Sequence, residues 1–229
     1  MKRIFFLILF SYIYFISLAT GHVQHYKNIK YLKYDLFLNN ELIGSHVFNF
    51  KKKEDILSVK STGSFKVRKL GIKLMDYKTE SQEIYEKEQL IKFDSKTNQN
   101  DKSKYVNLRL NKIENSFEIN GSSFQGKTES SFMIGSWWNH EIVKKNKQIS
   151  AISGRIMKQK VKFLGKEKIK IDDKEYDALH FHFLSDDNKP ADKKKLNIHV
   201  WYDSKTLLWV KSSYNKLGKW EYRLKKANF

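Results

Sequence analysis

The strongest constraint on how this chain folds is a two-residue alternation of apolar and polar side chains that recurs from Tyr31 to Lys225. Successive side chains of an extended strand point to opposite faces, so alternation of this kind specifies strands with one covered side. Leu32, Tyr34, Leu36 and Leu38 share one side of Tyr31–Leu38, and His46, Phe48 and Phe50 share one side of Ile43–Phe50. Asn39-Asn40-Glu41 between them reads as a tight turn, because asparagine tolerates positive φ. Further strands are expected over Ile56–Val67 (with Gly63 as a bulge), Ile72–Tyr85, Gln89–Ser95, Lys104–Lys112 and Ser116–Asn120. Ile156–Phe163, Glu167–Ile171 and Tyr176–Leu184 follow, and Lys195–Tyr202, Leu207–Tyr214 and Lys219–Lys225 close the chain as a meander. Many strands, polar turns and no long helical period predict a mainly β fold: a single, highly curved antiparallel sheet or incomplete β-barrel with one short helix.

That helix is expected within the segment where the alternation fails, Phe132–Lys145, chiefly around Ser136–Lys145. Ser136 is placed to cap it, and Lys144 and Lys145 suit its C-terminal end. Trp138 and Ile142, four apart, share a face, whereas Trp137 lies about 100° away from Trp138. The helix is read as a lid or plug on one mouth of the sheet. No internal repeat or linker divides the chain, so residues 22–229 are read as one domain.

The N-terminus carries an address. Lys2 and Arg3 precede an apolar run from Ile4 to Leu18, and Ala19-Thr20-Gly21 supplies small residues at the positions a signal peptidase reads. Residues 1–21 are therefore read as a secretory signal cleaved near Gly21, with retention as an anchor as the alternative, and the mature protein is expected in the periplasm or another extracytoplasmic space. The 229 residues include no cysteine. Disulfides, cysteine–zinc sites, iron–sulfur clusters and thiol nucleophiles are thereby excluded.

The formal net charge is +19, and a chain starting at His22 would carry 42 − 25 = +17. Such a charge suits an anionic membrane surface or another polyanion. The cations are almost all lysine, however, with arginine only at positions 3, 68, 109, 155 and 223. Phosphate forks favour arginine, so an AT-rich coding bias is the competing explanation. Nucleic acid is not expected as a partner of an exported chain.

Candidate chemistry is sparse. His180 and His182 flank Phe181, so on a strand they project from one face, and with His199, Asp186 or Asp187 they form a weak candidate metal site. His22 and His25 lie beside the cleavage point and read as tail residues. There is no G-x-S-x-G elbow and no glycine-rich phosphate loop, and neither a catalytic residue nor a cofactor is expected. The aromatics say more. Five tryptophans and sixteen phenylalanines exceed what one covered face of a thin sheet needs. Trp201 and Trp209, on adjacent strands, with Trp137, Trp138 and Asn139 on the lid, are the candidate ligand-binding residues of an aromatic concave face. The competing reading is that these rings fill the interior.

Several of these segments resemble one family. Tyr34-Asp35-Leu36-Phe37-Leu38 followed by Leu42-Ile43-Gly44-Ser45-His46 is similar to its opening hairpin, Ser136-Trp137-Trp138-Asn139 to its middle motif, and Val200-Trp201-Tyr202-Asp203 with Trp209-Val210-Lys211 to its closing hairpin. The family is the exported bacterial domain-of-unknown-function family 6134, and the resemblance runs from about Tyr31 to Lys225. It implies an exported β-rich domain, similar in outline to periplasmic lipoprotein-carrier half-barrels, without an assigned activity or catalytic residues. The lysine excess departs from that group's more arginine-rich pattern. The resulting expectation is a module that binds or carries an apolar or amphipathic envelope ligand such as lipid. Trp138 would anchor the lid and Asn139 would hold it by hydrogen bonds. A structural envelope protein with a filled core, acting through its basic surface, is the alternative, and a hydrolase is the third reading.

Overall fold

A computed structural model describes residues 26, 28–69, 72–186, 195–216 and 218–229. The segment expected to be a signal, the expected cleavage point, His22, His25 and Asp187 lie outside the described residues. Within them, fifteen strands form one sheet in the order β8-β7-β6-β5-β4-β3-β2-β1-β15-β14-β13-β12-β11-β10-β9. The first eight are β1 (Tyr31–Leu38), β2 (Glu41–Lys53), β3 (Ile56–Lys69), β4 (Ile72–Glu86), β5 (Gln89–Gln99), β6 (Lys102–Asn111), β7 (Ser116–Gly121) and β8 (Phe124–Glu129). The second half contains β9 (Met133–Ile134), β10 (Lys147–Ile149), β11 (Ile156–Ile171), β12 (Lys174–Ser185), β13 (Asn197–Asp203), β14 (Trp209–Asn215) and β15 (Lys219–Asn228). Chain neighbours pair antiparallel almost throughout, and β1 joins the two halves by pairing with both β2 and β15. The exception is the short parallel pair β9–β10.

The sheet does not close, and its edges are the short strands β8 and β9. These, with β10, are the strands that alternation missed: two or three residues carry no period, and Phe-Gln-Gly-Lys-Thr-Glu in β8 has one apolar anchor. The segments expected as Ile156–Phe163 and Glu167–Ile171 are one strand, broken in register between Phe163 and Gly165, where Gly165 adopts φ 124°.

The inner face holds the core. Leu32, Tyr34, Phe48, Phe50, Leu57, Val59, Phe93, Val106, Leu108, Phe117, Phe183 and Val200 are buried there in one cluster. Nearer the end carrying the β1–β2 and β3–β4 turns lies a second cluster. Leu36, Phe65 and Trp220 are buried in it, flanked by partly exposed Leu38, Ile43, Val67, Met75, Tyr77 and Tyr214. Between the two runs a belt of small polar side chains, satisfied among themselves. Ser61 and Ser81 hydroxyls meet at 2.8 Å, as do those of Thr79 and Thr97, and Ser95 donates to the Ala151 carbonyl at 2.6 Å.

Gly63 is not a bulge. It pairs in unbroken register with His46 on one side and Thr79 on the other. A β-carbon there would lie 3.2 Å from both the His46 ring and the Thr79 methyl, so the position is small because its two neighbours converge over it. Gly44 of the opening hairpin is more demanding, since a β-carbon would sit 2.1 Å from the Ser64 carbonyl oxygen of β3.

Candidate functional site

The chain between β8 and β11 turns into the interior and plugs one end of the sheet. Trp138 is fully buried. Its ring meets Tyr26, Phe50 and Tyr85 edge-on at 5.3–5.8 Å, the geometry that ring quadrupoles favour. Its Nε1 donates to Glu83 Oε1 at 2.9 Å, and Tyr85 donates its hydroxyl to Glu83 Oε2 at 2.5 Å. Burial raises the Glu83 pKa above the usual carboxylate range, opposed by the hydrogen bonds from Tyr85, Trp138 and Ser136.

The expected helix over Ser136–Lys145 is replaced by a shorter element, a 3-10 turn at His140–Lys144 capped by Asn139, whose side chain accepts from the Glu141 amide at 3.1 Å. Ser136 is not the cap. Trp137 adopts φ 55°, outside the right-handed helical region, so no helix can begin before it. That same backbone turn sends the two tryptophans apart. Trp137 packs on Phe183 at 4.9 Å, and its carbonyl accepts the Tyr202 hydroxyl at 2.9 Å. The expectation that Trp138 and Ile142 both face inward holds, as both are fully buried. Asn139 does hold the turn by a hydrogen bond. Tyr26 completes the plug, with its hydroxyl 2.7 Å from His140 Nδ1. Below the turn, Gln159 donates to the Ile142 and Lys145 carbonyls and accepts from Gln148.

Trp201 and Trp209 do not share a face. Tyr202 pairs with Trp209 and Trp201 with Lys211, because a register shift separates the two pairs and Val210 is the extra residue. Trp209 stacks on Tyr34 at 4.0 Å inside the sheet. Trp201 lies on the opposite face, stacked on His180 at 4.2 Å with the Lys211 ammonium 5.1 Å from its centroid. A single concave face carrying both tryptophans is thereby corrected.

His180, His182 and His199 come together beside Trp201. Glu167 accepts from Trp201 Nε1 and lies 2.9 Å from His180 Nδ1. A carboxylate only accepts, so His180 Nδ1 bears a proton and its Nε2 accepts from His199 Nδ1 at 2.8 Å. Burial, reinforced at His199 by the other two imidazoles, lowers the pKa of both His180 and His199. The rings of His182 and His199 lie parallel at 4.0 Å, so their lone pairs run side by side rather than converge. His182 Nε2 is engaged by Asn197 Oδ1 at 2.7 Å. Among the described residues no group of three or more histidine or acidic side chains is arranged to hold a metal ion. Ser213 faces His199 in the ladder.

Sequence reasoning missed three features. Glu83 sits in the inward phase of β4 with Ser81 and Tyr85, and that phase was the available signal for a buried carboxylate. Glu221 is buried among Lys211, Lys219 and Arg223 on the opposite face. Burial opposes its ionisation, but hydrogen bonds from Arg223, Lys211 and Lys219 outweigh it and hold its pKa to about 2. An open trough of about 530 Å³ crosses β4–β6, lined by Lys78, Glu80, Lys96, Asn98, Tyr105 and Asn107 among others. Its lining residues are of polar or charged types, although most of the surface they present is carbon.

An unclosed, plugged, antiparallel sheet of this kind defines a β-barrel-like domain. The solved structure of a β-barrel-like protein of the domain of unknown function DUF1849 from Brucella abortus has the same fold, with a TM-score of 0.61 over 87% of this chain and 97% of that one, at 11% identity. The model of the domain of unknown function DUF6134 matches residues 34–225, and the chain belongs to that family. No curated protein matches the sequence.

Proposed function

We propose that this protein is an extracytoplasmic binding or carrier module for an apolar or amphipathic envelope ligand, an acyl chain being the chemistry that suits it. The carrying observation is the second cluster. The plug is packed into the main core, so no ligand need be sought against Trp138. At the other end, however, Val67, Met75, Tyr77 and Tyr214 line the inner face around Phe65 and Trp220 and remain only partly covered by the described residues. Apolar walls with few polar groups suit a chain rather than a sugar or nucleotide. The filled main core equally supports the second reading, a structural envelope protein.

Native mass spectrometry of protein purified from the periplasmic fraction tests the choice, since a retained lipid appears as added mass. Met75→Asp is expected to lower binding of an added fluorescent fatty acid by at least about ten-fold, because a charge is placed against the chain, with the unfolding midpoint little changed. Absence of retained lipid together with unaltered fatty-acid binding in Met75→Asp would refute the carrier reading and leave the structural one.

A further inference from the structure

The β3–β4 hairpin outruns its pairing with the neighbouring strands. Pairing of β2 with β3 stops at Gly44–Phe65, and pairing of β4 with β5 begins at Tyr77–Gln99. The two strands nevertheless continue to pair with each other out to Lys69–Ile72. Over the last four residues of β3 its only ladder partner is β4, because β2 beyond Gly44 stays with β1, while Val67 and Met75 on the inner side still pack on the second cluster. The outer side of this hairpin end exposes apolar surface. Ile72 is 65% exposed and Leu74 51%, and Leu42 at the start of β2, on the same end of the sheet, is 59% exposed. Leu74 is the extra residue of the register shift opposite Val67–Arg68, and Asn100 Nδ2 holds its carbonyl at 3.4 Å. Residues 66–76 carry Lys66, Arg68, Lys69 and Lys73 against one acid, Asp76.

We infer that this end of the sheet docks on an anionic lipid bilayer, with Leu42, Ile72 and Leu74 entering the boundary between headgroups and acyl chains. The cations of the hairpin meet the lipid phosphates. Exposed aliphatic side chains with cations beside them are the two requirements of interfacial binding, and each alone gives only weak attachment. The ion pairs on the hairpin do not neutralise it. Lys66–Asp76 and Lys73–Asp101 are 3.8 and 3.5 Å apart and both lysines are exposed, so anionic headgroups can compete for them. The docking does not depend on any cargo in the interior.

The test is co-sedimentation of the full mature chain with phosphatidylcholine vesicles, with and without about 30% phosphatidylglycerol. Binding is expected to be at least about ten-fold tighter to the anionic vesicles. It should fall steeply as salt rises from about 0.1 to 1 M, where the screening length shrinks from about 10 to 3 Å. The double variant Ile72→Asp, Leu74→Asp is expected to lose at least ten-fold in affinity, roughly, with an unchanged unfolding midpoint. Ile113→Asp, at a residue 98% exposed in the β6–β7 turn at the opposite end of the sheet, should bind as the parent does. Lys66→Glu with Arg68→Glu should weaken binding more than Lys158→Glu with Lys160→Glu, an identical change of charge on β11. Equal binding to neutral and anionic vesicles would overturn the inference. So would equal losses from the two charge pairs, which would mark a generic polycation, or full binding by the Ile72, Leu74 variant. Lipid retention in native mass spectra of the same variants reports separately on the carrier reading.

Discussion

Trp138→Ala is expected to destabilise the folded protein by about 3–5 kcal/mol, the usual cost of truncating a buried aromatic. For a chain of this size that lowers the unfolding midpoint by roughly 10 °C. The cost has two sources. The ring is the centre of an edge-on cluster with Tyr26, Phe50 and Tyr85, and its Nε1 is one of the groups that satisfy buried Glu83. Removing the indole therefore leaves both a cavity and an under-paired carboxyl. Trp137→Ala should cost much less, because that ring is only partly buried and packs on the single ring of Phe183. Denaturant midpoints of the two variants decide the matter. A double-mutant cycle of Trp138→Phe with Glu83→Gln should add a coupling of about 0.5–3 kcal/mol. Equal midpoints for the two alanine variants, or additivity in the cycle, would show that the plug is not anchored through Glu83.

The second large effect is acid sensitivity from one imidazole. His46 lies in the interior, stacked on Phe48 at 4.4 Å and tilted against Tyr222 at 6.1 Å. Burial pulls its pKa from 6.5 down to about 4. The folded state thus keeps His46 neutral where the unfolded chain would protonate it. Its contribution to stability is complete above pH 6.5 and is lost as pH falls through 4. A gap of 6.5 − 4 = 2.5 units at about 1.36 kcal/mol each amounts to about 3 kcal/mol. Glu83 acts in the opposite direction, since a raised carboxyl pKa favours proton binding by the folded state. The comparison must therefore be made between parent and His46→Phe, not on the parent alone. His46→Phe keeps the stack on Phe48 and removes the titrating group. Stability curves measured from pH 7 to 4 should diverge by about 3 kcal/mol in favour of the variant. Parallel curves would mean that His46 titrates normally and is not held neutral by the core.

The strand plan was legible in the amino-acid order because burial of one face imposes a period of two on every long strand. Leu32, Tyr34 and Leu36 in β1, and Phe48 and Phe50 in β2, are buried as that period requires. The turns at Asn39-Asn40 and the inward phase of Trp138 and Ile142 were legible for similarly local reasons. Register was not. Whether Trp201 and Trp209 share a face depends on one extra residue, Val210, and on which partners the neighbouring strands present. A shift of one position reverses every side chain beyond it, and nothing local announces where it falls. Gly63 shows the converse: its smallness reflects the meeting of His46 and Thr79 from two different strands, not a bulge of its own.

The plug shows the same division. Its aromatic richness and its break in period are visible in Phe132–Lys145, and so is the cap-forming capacity of Asn139. That it packs into the main core, leaving the second cluster partly covered, follows from contacts between residues 55 and more than 100 positions apart, such as Glu83 with Trp138 and Tyr26 with His140. Local alternation determines which residues can face a core. Only the tertiary structure decides which of them meet, because that depends on the summed register of fifteen strands and on where one segment folds back between them.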